Sequence, residues 1–341
     1  MSLGRILIAD DSSTMRLVLR RLLGGAGFDV CGEAASGQEA VDLAQRLQPD
    51  LITMDVMMPG LDGFEASKAI LAQGPARIII VSAAGEALQT DLSFRALQCG
   101  ALDVMDKPEA GGPNALQIWG LRLALRLTEL VALPAGSRWM PSMSSQTAPK
   151  KRWTKRTLRA FGIAASTGGP PALAELLKPL PQSLPFPILI AQHIAAGFVP
   201  GLARWLKTQT VLDVRVAEGG ELPQGGQVWL PSDGSDLVVG PGGRLKLMAN
   251  GGGVCPNADH LLNSMALELG AEAGAAVLTG MGQDGAEGLL AMKKAGALTL
   301  AQDSASCVVD GMPAAAVAKG AAEQRLNPQE IGFCVMELGR L

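Results

Sequence analysis

Leu51-Ile52-Thr53-Met54-Asp55-Val56-Met57-Met58-Pro59 is the stretch on which the reading of the fold turns. Its first four residues form an apolar run too short for a helix. An acidic residue bounds the run, and a proline follows soon after, so it reads as a buried strand that ends on Asp55. Runs of the same kind lie on either side, at Ile6–Ala9, Phe28–Cys31, Arg77–Val81 and Leu102–Met105. Between them are amphipathic stretches with helix-start signals, such as the capping box Ser36-Gly37-Gln38-Glu39. Strict alternation of short apolar strands with amphipathic helices predicts a parallel sheet covered on both faces. Residues 1–131 are therefore expected to form one doubly wound α/β domain.

The pattern breaks over residues 132–157. Pro134, Pro141 and Pro149, several serines and the run Lys150-Lys151-Arg152-Trp153-Thr154-Lys155-Arg156 have the composition of an interdomain linker. The basic run reads as solvated linker rather than a nucleic-acid grip. A second α/β domain is expected over residues 158–341. Strand-like runs fall at Ala160–Ala165, Ile188–Ala191, Ala275–Leu278 and Leu298–Ala301, with helical patterns at Ala258–Leu269 and Gly285–Lys294. The Gly/Pro-rich middle, Val211–Met248, alternates over short strands and predicts an antiparallel hairpin insert.

The 341 residues suit two domains, and Lys+Arg 29 against Asp+Glu 32 leaves a net charge of −3. No global positive field exists to recruit nucleic acid or an acidic membrane. Aromatics are 4% of the chain and tyrosine is absent, which argues against base-stacking platforms. The five cysteines are scattered without a CxxC pair, and there are two histidines, so neither a disulfide framework nor a zinc site is supported. With no signal-peptide pattern and no membrane-length apolar run, a reducing cytoplasm is the expected compartment.

In the first domain Asp10 and Asp11 follow the first strand, Asp55 the third and Lys107 the fifth, while Ser82 ends the fourth. Ligands of open parallel sheets bind outside the carboxyl ends of the strands, near the switch in strand order. Carboxylates gathered there repel one another unless a hard cation such as Mg²⁺ lies between them. Lys107 and Ser82 supply a point charge and a hydroxyl for phosphoryl oxygens, and Asp55 is the candidate nucleophile of an aspartyl phosphate. This part resembles the receiver domain of two-component response regulators, on Asp10-Asp11, Met54-Asp55-Val56-Met57-Met58-Pro59, Val81-Ser82-Ala83 and Asp106-Lys107-Pro108. The resemblance implies a flavodoxin-like (βα)5 fold, phosphorylated with Mg²⁺ by a histidine kinase. Val104 stands where receivers usually carry Phe or Tyr, so the usual aromatic switch is missing.

In the second domain the strand that ends at Ala165 runs into Ser166-Thr167-Gly168-Gly169-Pro170 and a helical pattern. A serine at a strand-to-helix turn exposes its hydroxyl near helix N–H groups, where a nucleophile is useful. His193 ends a strand, whereas His260 lies within an amphipathic helix and reads as a surface or boundary residue. Asp284 follows a third strand, between glycines, and can orient an imidazole. Gly280-Met281-Gly282-Gln283-Asp284-Gly285 also fits GxGxxG, but Asp284 would set a carboxylate beside a pyrophosphate, which disfavours a dinucleotide. Ser166, His193 and Asp284 at three strand ends favour a serine hydrolase.

This half resembles the catalytic domain of the chemotaxis protein-glutamate methylesterases, the CheB family. The likeness rests on Ser166-Thr167-Gly168-Gly169, Gln192-His193, Leu278-Thr279-Gly280-Met281-Gly282-Gln283-Asp284-Gly285 and the stretch from Gln302 to Pro313. It implies Ser166 as nucleophile, His193 as general base, Asp284 as its orienter, the Met281 backbone near the oxyanion and Thr167 lining the cleft, with no cofactor in this domain. It further implies a phosphorylation-activated esterase that acts on glutamate methyl esters of methyl-accepting chemotaxis receptors and deamidates their glutamines. Departures fall around the cleft, at Ile194-Ala195-Ala196 and at Cys255-Pro256-Asn257-Ala258-Asp259, where Arg-Pro-Ser-Val-Asp is usual. A catalytically weak receptor-binding adaptor is the competing reading. A DNA-binding output is disfavoured, because no helix-turn-helix with clustered basic residues is evident.

Overall fold

The computed structural model describes residues 2–74, 76–82, 100–108, 113–131, 156–194, 197–249 and 254–339. The chain divides into two compact units, Met1–Arg138 and Trp139–Leu341. The expected helix between the fourth and fifth strands lies outside the described residues, as do residues 132–155 of the linker expected over 132–157, and Ala195 and Ala196.

The first unit holds a five-stranded parallel sheet of β1 (Arg5–Ala9), β2 (Asp29–Ala34), β3 (Leu51–Met54), β4 (Ile78–Ser82) and β5 (Asp103–Asp106), in the order β2-β1-β3-β4-β5. β3 is buried throughout, and β1 and β4 are buried at all but one end residue, as strands covered on both faces must be. Helices Ser13–Gly25, Gly37–Leu47, Gly63–Gln73 and Pro113–Val131 belong to the same unit. Ser36 Oγ accepts from the Glu39 amide, as the capping box predicts, and Glu39 reaches back to the Ala35 amide at 2.7 Å. Met54, Phe64, Ile70 and Ile80 share one core cluster, each worth about 1.5–3 kcal/mol of burial. Strand order reverses between β1 and β3, and Ala9 pairs with Met54. Asp10 and Asp55 therefore leave the sheet side by side.

In the second unit seven parallel strands run β14-β13-β12-β6-β7-β9-β8. They are β6 (Ala160–Ala165), β7 (Ile188–Gln192), β8 (Asp213–Val216), β9 (Gln227–Leu230), β12 (Ala273–Val277), β13 (Leu298–Gln302) and β14 (Gln324–Leu326). A separate antiparallel pair joins β10 (Ser235–Val239) to β11 (Leu245–Ala249). The hairpin predicted over Val211–Met248 is thus confined to β10 and β11. β8 and β9 extend the main sheet in parallel instead. Period-2 alternation suits either pairing, and the long crossover through Gly219, Gly220 and Pro223 lets the chain return to the starting edge. Chain order again switches beside the first strand: β7 lies on one side of β6 and β12 on the other. Loops after three adjacent strands meet there.

Candidate active site and phosphoacceptor pocket

At the switch point of the first unit, Asp10 and Asp55 are buried and Asp11 is exposed. One carboxylate oxygen from each lies within 4.8 Å of the others. Lys107 Nζ sits 2.8 Å from Asp10 Oδ2 and 2.8 Å from Asp55 Oδ2. Burial pushes the Asp55 carboxyl above its usual range, against the pull of Lys107. Burial also works against the Lys107 ammonium, yet the two carboxylates outweigh it and hold Lys107 above its ordinary value. The Lys107 amide donates to Ser82 O at 2.8 Å, which fixes the residue to the end of β4. All five residues read from the sequence meet at this edge. Three oxygen donors, two of them buried, fit a hard divalent ion. Val104 is partly buried in β5, and Trp119 Nε1 donates to the carbonyl of Asp106, the residue before Lys107, at 2.5 Å.

Ser166 follows β6 in the turn that opens helix Gly169–Leu177, and it is buried, as is Thr167. The turn closes with the Gly169 amide donating to Ser166 O at 2.8 Å. Gly168 adopts φ +75°, and a Cβ there would meet Val308 at 2.5 Å, so this position needs glycine. Ala165 pairs with Gln192, and the next residue on each strand is Ser166 and His193. Gln192 Nε2 donates to Ser166 O at 2.8 Å and to His193 O at 2.9 Å, which ties the two strand ends together. On the other side, the Ser166 amide donates to Thr279 O, and Gly280 approaches so closely that a Cβ would lie 2.7 Å from Ser166 Cβ.

His193 Nε2 lies 2.7 Å from Asp284 Oδ2. Asp284 also accepts from the amides of Ala258 at 2.7 Å and Asp259 at 2.9 Å, the first turn of helix Ala258–Leu269. Burial alone would raise the Asp284 carboxyl. The bond with His193 and the helix amides outweigh it and hold the group below its usual value. Ser166 Oγ makes no hydrogen bond among the described residues, and the Nδ1 of His193 is not engaged by Asp284. Met281 lies in the 280–285 loop, which is pinned to a second loop: the amides of Gly311 and Met312 both donate to Gly280 O.

Sequence reasoning missed three buried supports of this edge: Gln192, Thr279 and Gln302. Thr279 Oγ1 donates to Thr167 O at 2.9 Å, and the Thr279 amide donates to Gln302 Oε1 at 2.7 Å. The available signal was a polar residue at the end of an apolar strand in each case. His260 is exposed, as read, but its Nδ1 meets buried Asp236 at 2.7 Å.

Comparison with known proteins bears on both units. The profile of the CheB methylesterase family matches residues 161–335, and that of the response regulator receiver domain matches residues 6–116. The chain is 46% identical over 321 residues to a Myxococcus xanthus (strain DK1622) protein named protein-glutamate methylesterase/protein-glutamine glutaminase 3, covering 94% of this chain and 89% of that one. An Anaeromyxobacter dehalogenans (strain 2CP-C) protein of the same name is 38% identical over 331 residues, covering 96% of each chain. The crystal structure of the Thermotoga maritima CheB methylesterase catalytic domain matches with a TM-score of 0.51 and 32% identity, over 53% of this chain and 99% of that domain. With its strand-end serine, its His193–Asp284 pair and a receiver domain ahead of them, the chain belongs to the CheB methylesterase family.

Proposed function

We propose that this protein hydrolyses glutamate methyl esters on the cytoplasmic helices of chemoreceptors, with Ser166 as nucleophile, His193 as general base and Asp284 as its orienter. The bond between His193 and Asp284, at the strand end in register with Ser166, is the observation that carries the reading. With Nε2–H donated to Asp284, the Nδ1 lone pair is the base. It takes the hydroxyl proton as Ser166 Oγ attacks the γ-carbonyl carbon. The developing oxyanion meets the positive end of helix Gly169–Leu177 and main-chain N–H groups at Thr167 and Met281. Methoxide then leaves with the proton from His193 as methanol. Water gives its proton back to His193 and attacks the acyl carbon, which frees the glutamate carboxylate and restores Ser166. Glutamine enters the same sequence with ammonia as the leaving group.

Asp55 is the acceptor through which a histidine kinase switches the enzyme on. Asp10, Asp11 and Asp55 would hold Mg²⁺, which supplies positive charge among carboxylates and phosphoryl oxygens. Lys107, already between Asp10 and Asp55, pairs with the incoming phosphoryl group, and the Ser82 hydroxyl donates to it. No described helix is long and apolar enough to cross a membrane. The test is methanol release from methylated receptor membranes, with and without a small phosphodonor. Release that depends on Ser166 and rises with phosphodonor supports the reading; methanol formation unchanged in Ser166→Ala would overturn it.

A further inference from the structure

The carboxylate of Asp284 is held at the N-terminus of helix Ala258–Leu269, so its position is only as well defined as that of the helix end. A second aspartate fixes that end. Asp236 of β10, 1% exposed, accepts from the amide of the N-cap residue Asn257 at 2.6 Å and pairs with His260 Nδ1 at 2.7 Å. Asn257 Oδ1 in turn accepts from the His260 amide at 2.9 Å. Four successive amides, from Asn257 to His260, are thereby satisfied: one by Asp236, two by Asp284 and one by the cap. The two histidines each meet an aspartate, and the two aspartates grip adjacent amides of one helical turn.

We infer that Asp236 and His260 are positioning residues for the His193–Asp284 pair. A buried carboxylate is costly unless its oxygens are paired, so Asp236 is committed to both partners. β10 belongs to the hairpin rather than to the catalytic sheet, so Asp236 also ties that hairpin to the active-site edge. His260 supplies a side-chain anchor one turn into the helix, and Asn257 supplies a main-chain anchor at its start. Held at both, the Ala258 and Asp259 N–H groups keep their aim at Asp284, which in turn keeps the His193 ring oriented for Ser166. Loss of the clamp should lower the rate of the chemical step and leave receptor binding alone.

This inference rests on the catalytic assignment of the preceding section, and the experiment separates the two. Methanol release from methylated receptor membranes is measured with the full-length phosphorylated protein. His260→Ala should lower kcat about tenfold with KM unchanged, the size expected for one lost charge-assisted hydrogen bond. His260→Asn, whose amide nitrogen can reach the place of Nδ1, should recover most of that loss. Asp236→Ala should be at least as impaired as His260→Ala, and the double variant no worse than Asp236→Ala alone, because both act through one clamp. Should Asp236→Ala fail to fold, Asp236→Asn, which keeps the volume and one acceptor, takes its place. Wild-type kcat in His260→Ala, a loss carried by KM, or additive losses in the double variant would overturn the inference. Asp284→Ala is the control. If it retains full activity, the catalytic assignment itself fails; if it is inactive while His260→Ala matches wild type, only the positioning role fails.

Discussion

His193 and Asp284 are 91 residues apart in the chain and 2.7 Å apart in space. The order of strands brings them together, because β6 carries Ser166 between the strands that deliver the other two residues. His193→Ala is expected to lower kcat by about 10³-fold, the span of general base catalysis, and Ser166→Ala to remove the acyl-enzyme altogether. A fluorophosphonate probe checks the second point directly. Ser166 should be labelled in the native protein, and labelling in Ser166→Ala at the native rate would rule the assignment out.

Asp55 should carry an acid-stable, base-labile phosphoryl group whose formation requires Mg²⁺. Asp55→Asn should abolish the label, and EDTA should suppress it. Label in Asp55→Asn would place the acceptor elsewhere, and full labelling in EDTA would overturn the Mg²⁺ requirement.

The same residue predicts a stability effect of definite sign. Burial raises the Asp55 carboxyl, so the folded state holds its proton more tightly than the unfolded chain does. Stability then grows as pH falls through the raised value, and ionised Asp55 is a burden to the receiver at neutral pH. Asp55→Asn, neutral throughout, should therefore raise the melting midpoint of the receiver transition at pH 7 by a few degrees in metal-free buffer. A lower midpoint would mean that the pairing with Lys107 outweighs burial.

Asp284 behaves in the opposite sense. Its carboxyl is held low, so the stability it contributes is present above the unfolded value of about 4 and is lost as pH falls through the lower folded value. The stability advantage of the native protein over Asp284→Asn, read from the esterase transition in urea, should shrink between pH 5 and pH 3. An advantage that does not change with pH would show that the carboxylate gains nothing from His193 and the helix amides.

Trp119 offers a readout of the receiver. Its indole N–H holds the carbonyl of Asp106, the residue before Lys107. Any shift of Lys107 toward a phosphoryl group should alter the indole environment, even though Val104 leaves the usual aromatic switch absent. Phosphodonor should change the tryptophan emission of the native protein, and Trp119→Phe should remove that change. An equal change in Trp119→Phe would show that the signal does not travel through this bond.

Much of this architecture could be read before any coordinates, because alternating periodicity names a doubly wound sheet and such a sheet gathers strand ends at one edge. Asp10, Asp55, Lys107, Ser166, His193 and Asp284 were legible for that reason. β8 and β9 were not, since alternation has one period whichever way the partner strand runs. Asp236 and His260 were hidden for a different cause. They are 24 residues apart, on a hairpin and on a helix, and no pattern within either segment announces the other. Gln192, Thr279 and Gln302 each looked like the last residue of an apolar strand, and their hydrogen bonds depend on which loops the fold places beside them.

The amides that hold Asp284 belong to the main chain, and this bears on how the sequence can drift. A backbone N–H is supplied by any residue except proline, so Ala258 and Asp259 could exchange side chains over evolutionary time without releasing the carboxylate. In Cys255-Pro256-Asn257-Ala258-Asp259, where the resemblance implies Arg-Pro-Ser-Val-Asp, the main-chain grip on Asp284 is in place. An alanine scan across that turn leaves position 258, already alanine, unchanged and so overlooks an amide that holds Asp284 beside His193. The contribution would surface only on replacing the amide itself, by proline or by a backbone ester at position 258.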